Sequence, residues 1–145
     1  MSATETSSNF RDIVEGRALP PPVARLLGWR FVGLDEATAR LSCAFEATEA
    51  FLNPAGVVQG GILVSMLDEA MGPVASAVSG GEIFAQTLEI KASFLRAARP
   101  GPIFGEGRIL RFGREILFLE GRLMDAEKRL LAAATATARV VKART

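Results

Sequence analysis

Between positions 61 and 79, Leu63, Met66, Leu67, Ala70, Met71, Val74, Ala75 and Val78 recur at three- and four-residue spacing. That pattern predicts one helix with a single continuous apolar face. Pro73 has no N–H to bond the Glu69 carbonyl, so the helix should kink or stop near Gly72 and Pro73. Upstream, Ala39, Leu41, Cys43 and Phe45 alternate with Thr38, Arg40, Ser42 and Ala44, the period of two of a half-buried strand. A further strand is expected over 29–34. Downstream of Gly80-Gly81 four strand-like runs follow, at 84–96, 103–112, 116–125 and 130–142. The turn signals Arg99-Pro-Gly-Pro102, Phe112-Gly-Arg114 and Asp125-Ala-Glu-Lys128 separate them. Before the first strand the pattern gives a polar, frayed tail over 1–9 and a short helix over 10–18. The stiff Pro20-Pro-Pro22 break and a second short helix over 23–27, ended by Gly28, complete that segment.

Five or six strands with one long apolar helix make an α+β layout. An antiparallel sheet curled around that helix explains why it is so hydrophobic, and leaves sheet edges that invite a second chain. The expected organisation is an N-terminal tail with short helices over 1–27 and one domain over 28–145.

The chain has 145 residues and is 49% hydrophobic, enough for a core without disulfide or metal support. Its net charge of +1 argues against a nucleic-acid binder. With no His and only Cys43, the usual His and Cys metal ligands cannot be assembled, and neither can a Ser-His-Asp or Cys-His site; no metal and no cofactor are expected. The lone Cys suits a reducing cytoplasm. No signal peptide is expected, because the first residues lack a basic and an apolar region. The uncharged stretch 50–67 contains Asn53, Pro54, Gln59 and several glycines and makes a poor membrane span, so neither membrane nor nucleic acid is an expected partner.

Candidate chemistry gathers where Asn53-Pro-Ala-Gly-Val-Val-Gln-Gly-Gly61 runs into the apolar helix. The first N–H groups of a helix have no intrahelical partner and the dipole there favours negative charge, so Gly60 and Gly61 mark an oxyanion site that a ligand can approach closely. Gln59 could orient a ligand or a water, and Asn53 could fix the turn or a water. Asp68 lies at the border of the apolar stripe, half sheltered, whereas Glu69 points nearly opposite the stripe and should be solvated. Asp68 is either the acid of a hydrolytic site or a helix acid that favours the dipole by ~0.3–1 kcal/mol. Aspartate is a weak base at neutral pH, but direct attack on a carbonyl needs no proton acceptor. Arg96, Arg99, Arg108, Arg111, Arg114 and Arg122 crowd one stretch; they suit phosphate contact, or reflect a preference for Arg over Lys throughout the chain.

The motif Asn53-Pro-x-Gly56-x-x-Gln59-Gly-Gly61, followed by Asp68-x-Ala70-x-Gly72, resembles the signature of hotdog-fold acyl-CoA thioesterases of the phenylacetate-pathway type. Thr87-Leu-Glu-Ile-Lys-Ala-Ser-Phe-Leu-Arg96, Gly107-Arg108 and Gly113-Arg114 resemble that family's later strands. The resemblance implies a sheet wrapped around the central helix and chains paired edge to edge into dimers, which commonly pair again into tetramers. It implies hydrolysis of a small to medium, or aromatic, acyl-CoA at the dimer interface. There the Gly60 amide of one chain would polarise the thioester carbonyl and Asp68 of the other would act as nucleophile or general base. Asn53 would help place ligand or water, Thr87 would orient the attacking water, and Arg96, Arg99 or Arg114 would meet the coenzyme A phosphates. The family usually has His at Gln59; Gln can hydrogen-bond the thioester but cannot titrate. That departure leaves a non-catalytic acyl-CoA binder as the alternative. A hotdog dehydratase or hydratase, which typically needs a His, fits less well.

Overall fold

Pro73 decides the course of the central helix. In the computed structural model, which describes residues 10–143, the apolar run forms two helices, α3 over Gly60–Met71 and α4 over Pro73–Val78. They follow α1, Phe10–Val14, and α2, Pro22–Leu26, and the strands β1, Arg30–Asp35, and β2, Arg40–Ala47. After them come β3, Ile83–Phe94, β4, Gly101–Phe112, β5, Ile116–Met124, and β6, Leu130–Lys142. The expected strands and the break at Pro73 are therefore present within a few residues, and the tail over 1–9 lies outside the described residues. A short 3-10 turn at Glu49–Phe51 carried no pattern that marked it.

Pro73 leaves the Glu69 carbonyl without its helical donor. Trp29 Nε1 takes that place, donating to Glu69 O at 3.1 Å. The indole is itself held edge-on by Phe10 of α1, ring centroids 6.3 Å apart. The proline and the single tryptophan thus act together to join the helix break to the start of β1.

The six strands form one antiparallel sheet in the order β1-β2-β4-β5-β6-β3. Leu63, Met66, Leu67, Ala70, Met71, Val74 and Ala75 are buried against inward side chains that include Leu41, Phe45, Ile103, Leu117, Leu119 and Leu123. Gly60–Val78 has the length and mean hydropathy, 1.3, to cross a membrane, but here its apolar face packs on the sheet. The outward face carries ion pairs, Arg40–Glu106 at 3.2 Å, Arg122–Glu106 at 2.9 Å and Arg108–Glu120 at 2.6 Å. These pairings take Arg108 and Arg122 out of the group of arginines available to a phosphate.

The helix can lie so close because the strands beneath it lack side chains. Gly107 of β4 and Gly121 of β5 are direct cross-strand partners. A Cβ on Gly107 would run into the Ala70 carbonyl, and one on Gly121 would stand 2.7 Å from Met71 Cγ. Gly107→Ala should therefore destabilise the fold by at least about 2 kcal/mol, because the obstacle is helix backbone that cannot rotate away. Gly33→Ala, where a Cβ meets open space, should change stability by less than about 0.5 kcal/mol. Urea midpoints for the two variants check this; equal midpoints would remove the glycine contact as the determinant of helix depth.

Candidate active site

The turn into α3 is built by Asn53. Its Oδ1 accepts the N–H of Ala55 at 2.9 Å and of Val57 at 3.3 Å, and its own N–H donates to Val57 O at 2.8 Å. Of the two roles open to Asn53, the structure shows the turn-fixing one. Val58 N–H then donates to Ala98 O at 2.9 Å and Gln59 N–H to Phe51 O at 2.9 Å, tying the turn to its neighbours. Gln59 is the residue that caps α3, but its side chain makes no capping bond and is exposed. Its carbonyl receives the N–H of Ile62 and Leu63. The N–H groups of Gly60 and Gly61 precede the first intrahelical bonds and have no acceptor among the described residues. They are the free donors that the Gly-Gly approach predicts.

Asp68 lies on the same helix, half-buried, and Thr87 Oγ1 donates to its Oδ1 at 2.7 Å. Thr87 sits where β3 slips register against β6, between Thr87 and Glu89. Such a bulge re-aims side chains next to active sites; here Thr87 faces the helix while Leu88 is exposed. The fold therefore joins two residues singled out separately in the sequence. It does not join Asp68 to Gly60. At ~1.5 Å per residue, the eight-residue step from Gly60 to Asp68 places the two about 12 Å apart along the axis. No one carbonyl lies within hydrogen-bond reach of both.

Glu69 departs from its sequence-based placement. It is half-buried rather than solvated, and burial, with Asp68 beside it, pushes its carboxyl from 4.5 up to about 7. The helical wheel assigns one covered side, whereas the curled sheet contacts α3 through β2, β3, β4, β5 and β6. Burial likewise pushes the Cys43 thiol up to about 12, with Glu69 adding to the rise, so this cysteine is no nucleophile at neutral pH.

Arg96 borders a cleft of about 360 Å³ that also contains Gly60, Leu63 and Phe94. Arg99 is exposed on the same β3–β4 connection, at residues 95–100. Arg114 is also exposed, but on the β4–β5 turn at the other end of β4, about 36 Å away by the rise of an extended strand. The grouping of Arg96, Arg99 and Arg114 around one anion therefore does not occur within one chain. Phe94 is the wall residue that sequence reasoning passed over, since nothing in a local pattern links it to Gly60, 34 residues earlier.

The Glu69 carboxyl holds a proton when folded that the unfolded chain releases above pH 4.5. Its contribution to stability is complete below that pH and is lost as pH rises through about 7. The loss should be on the order of 3 kcal/mol, and Glu69→Gln should flatten it. Urea midpoints at pH 5, 6, 7 and 8 measure the difference, and parallel curves for the two proteins would exclude Glu69 as its source.

Several known proteins share this architecture. A family model described as the thioesterase superfamily matches residues 55–132, more than half of the chain. A Ralstonia eutropha protein, a presumed thioesterase named as phenylacetic acid degradation-related, is 36% identical with a TM-score of 0.83, over 91% of this chain and 99% of its own. A presumed esterase of Saccharolobus solfataricus is 29% identical over 108 residues, 74% of this chain and 75% of its own. A Streptococcus mutans protein whose structure was solved bound to acetyl CoA has the same fold, with a TM-score of 0.71 at 22% identity, over 81% of this chain and 91% of its own. With its six-stranded sheet around the central helix, free amides at the helix start and the Asp68–Thr87 pair, this chain belongs to the thioesterase superfamily as a hotdog-fold thioester hydrolase.

Proposed function

We propose that this protein hydrolyses a small to medium acyl-CoA, aromatic acyl groups included, to the free acid and CoA, using a site shared between two copies of the chain. The observation that carries this reading is the separation of Gly60 from Asp68. An oxyanion donor and a base must both come within about 3 Å of the reacting atoms, and a spacing of about 12 Å forbids that within one helix. A second copy related by a two-fold axis brings the helix start of one chain to the acid of the other. β3 supplies the surface for such pairing. It is a twelve-residue edge strand with unpaired backbone groups and exposed Phe84 and Leu88. Two such dimers pairing again would give the tetramer that the family resemblance implies. The same fold accommodates acetyl CoA in the Streptococcus mutans protein, which supports a CoA thioester as the substrate.

In this reading the Gly60 N–H donates to the thioester carbonyl oxygen and stabilises the negative charge that develops on it, an effect worth roughly 10²–10³ in rate. Thr87 Oγ1 spends its proton on Asp68 Oδ1. Its lone pairs are left to accept from a water, and Asp68 Oδ2 is left to take that water's proton. This arrangement favours the general-base role of Asp68 over direct attack. Water adds to the carbonyl carbon, the tetrahedral adduct expels the CoA thiolate, and the proton held by Asp68 passes to the sulfur. Gln59, exposed beside the amides, orients the thioester without titrating. Arg96 and Arg99 meet the phosphates from one chain, and Arg114 can join them only from a partner.

Free-thiol release from acetyl-, butyryl-, hexanoyl-, benzoyl- and phenylacetyl-CoA tests the activity. Asp68→Asn should lower kcat by at least roughly 10², the low end for general-base catalysis, with an unchanged urea midpoint. A retained rate would remove Asp68 from the reaction. Thr87→Val should lower kcat by about tenfold or more, as expected for a lost hydrogen bond to a charged group, while Thr87→Ser keeps most of the rate. Equal rates for the Val and Ser variants would leave the hydroxyl without a role.

A further inference from the structure

The cleft beside Gly60 has a marked asymmetry. Val57, Val58, Leu63, Phe94, Leu95, Ala97 and Ala98 give it apolar walls, and its one charged lining residue is Arg96. Of the two branches of an acyl-CoA thioester, only the thiol side ends in anions. Arg108 and Arg122 are engaged by Glu120 and Glu106. Arg96 is exposed and has no ion pair among the described residues.

Phe94 lines this cleft beside Gly60. Its ring lies 3.3 Å from where a Cβ on Gly60 would be, so the tip of the ring packs on the glycine α-carbon. The backbone around it is pinned. Phe94 pairs with Ala132, and the N–H groups of Leu95 and Arg96 both donate to Leu131 O, at 2.8 and 3.2 Å. Ala98 O accepts from Val58 on the opposite wall. Phe94 is 53% exposed, so its ring is open to a ligand on the side away from Gly60.

Resting on the thioesterase reading above, we propose that Phe94 is a substrate-positioning residue, its ring forming the wall along which the mercaptoethylamine arm of CoA runs from the Gly60 amide to Arg96. The ring gives the arm's methylenes an apolar surface. Arg96 then takes a phosphate at the far end of the same path.

Two thioesters of one acyl group separate these contacts: the CoA thioester, and the N-acetylcysteamine thioester, which keeps the arm next to sulfur but has no phosphate. Phe94→Ala should raise KM about tenfold for both, with kcat within about threefold, and Phe94→Leu should restore most of the loss. Arg96→Ala should raise KM only for the CoA thioester. Titration calorimetry with free CoA gives a readout that needs no turnover. Its Kd should weaken about tenfold in Phe94→Ala, with wild-type binding regained in Phe94→Leu. Unchanged KM and Kd in Phe94→Ala would overturn the proposal. So would a loss that grows with acyl length while acetyl-CoA is unaffected, since the cleft would then hold the acyl group. Wild-type protein that binds CoA but releases no thiol would overturn the hydrolase reading and leave the Phe94 contact to be judged by Kd; wild-type protein that binds no CoA would overturn both.

Discussion

The closeness of α3 to the sheet is the constraint on which the rest of the molecule depends. A helix usually sits on a sheet at the distance its side chains impose. Here Gly107 and Gly121 meet as cross-strand partners under Ala70 and Met71, and the helix backbone descends onto strand backbone. The depth of that seat sets how far β2 and β3 must curl to cover the helix flanks. It also determines that Asp68, two residues before Ala70, comes within reach of Thr87 on the edge strand. Bulkier residues in the strands would lift the helix and open that hydrogen bond.

The same seating explains why chemistry is distributed as it is along the helix. Its N-terminal end projects beyond the glycine pair and meets the Asn53 turn, where the amides of Gly60 and Gly61 have no acceptor among the described residues. Its middle carries two adjacent acids in different surroundings. Asp68 has a hydroxyl partner, while Glu69 faces a side of the helix made apolar by Trp29 and Cys43 and holds its proton to about pH 7. Burial and the neighbouring Asp68 both disfavour a charge on Glu69, so the two acids sit side by side in unlike surroundings.

Much of this was legible in the residue order. The three- and four-residue spacing from Leu63 to Val78 gave the helix, Pro73 gave its break, and period-two runs with Gly and Pro turns gave β2 to β6. The free amides and the half-sheltered Asp68 followed from Gly60-Gly61 and a helical wheel. What failed depended on contacts distant in sequence. The solvated placement of Glu69 assumed one covered face, and the curled sheet covers more. The arginine cluster was a cluster along the chain only, since a strand of twelve residues separates Arg114 from Arg96 and Arg99. Phe94 meets Gly60 only because β3 returns to the helix start, a closure that no local period encodes.

Trp29 has a consequence of another kind. It is the only tryptophan, and the chain has no tyrosine, so the near-ultraviolet emission of the protein comes essentially from one indole. That indole is bonded to the carbonyl which Pro73 sets free, one residue from Asp68, and leans on Phe10 of the N-terminal helix. The protein therefore carries a built-in optical probe at the joint between its helix break and its active-site turn of helix. Movement of α1, bending at Pro73 and ionisation of Glu69 would all register in its colour and intensity without any label.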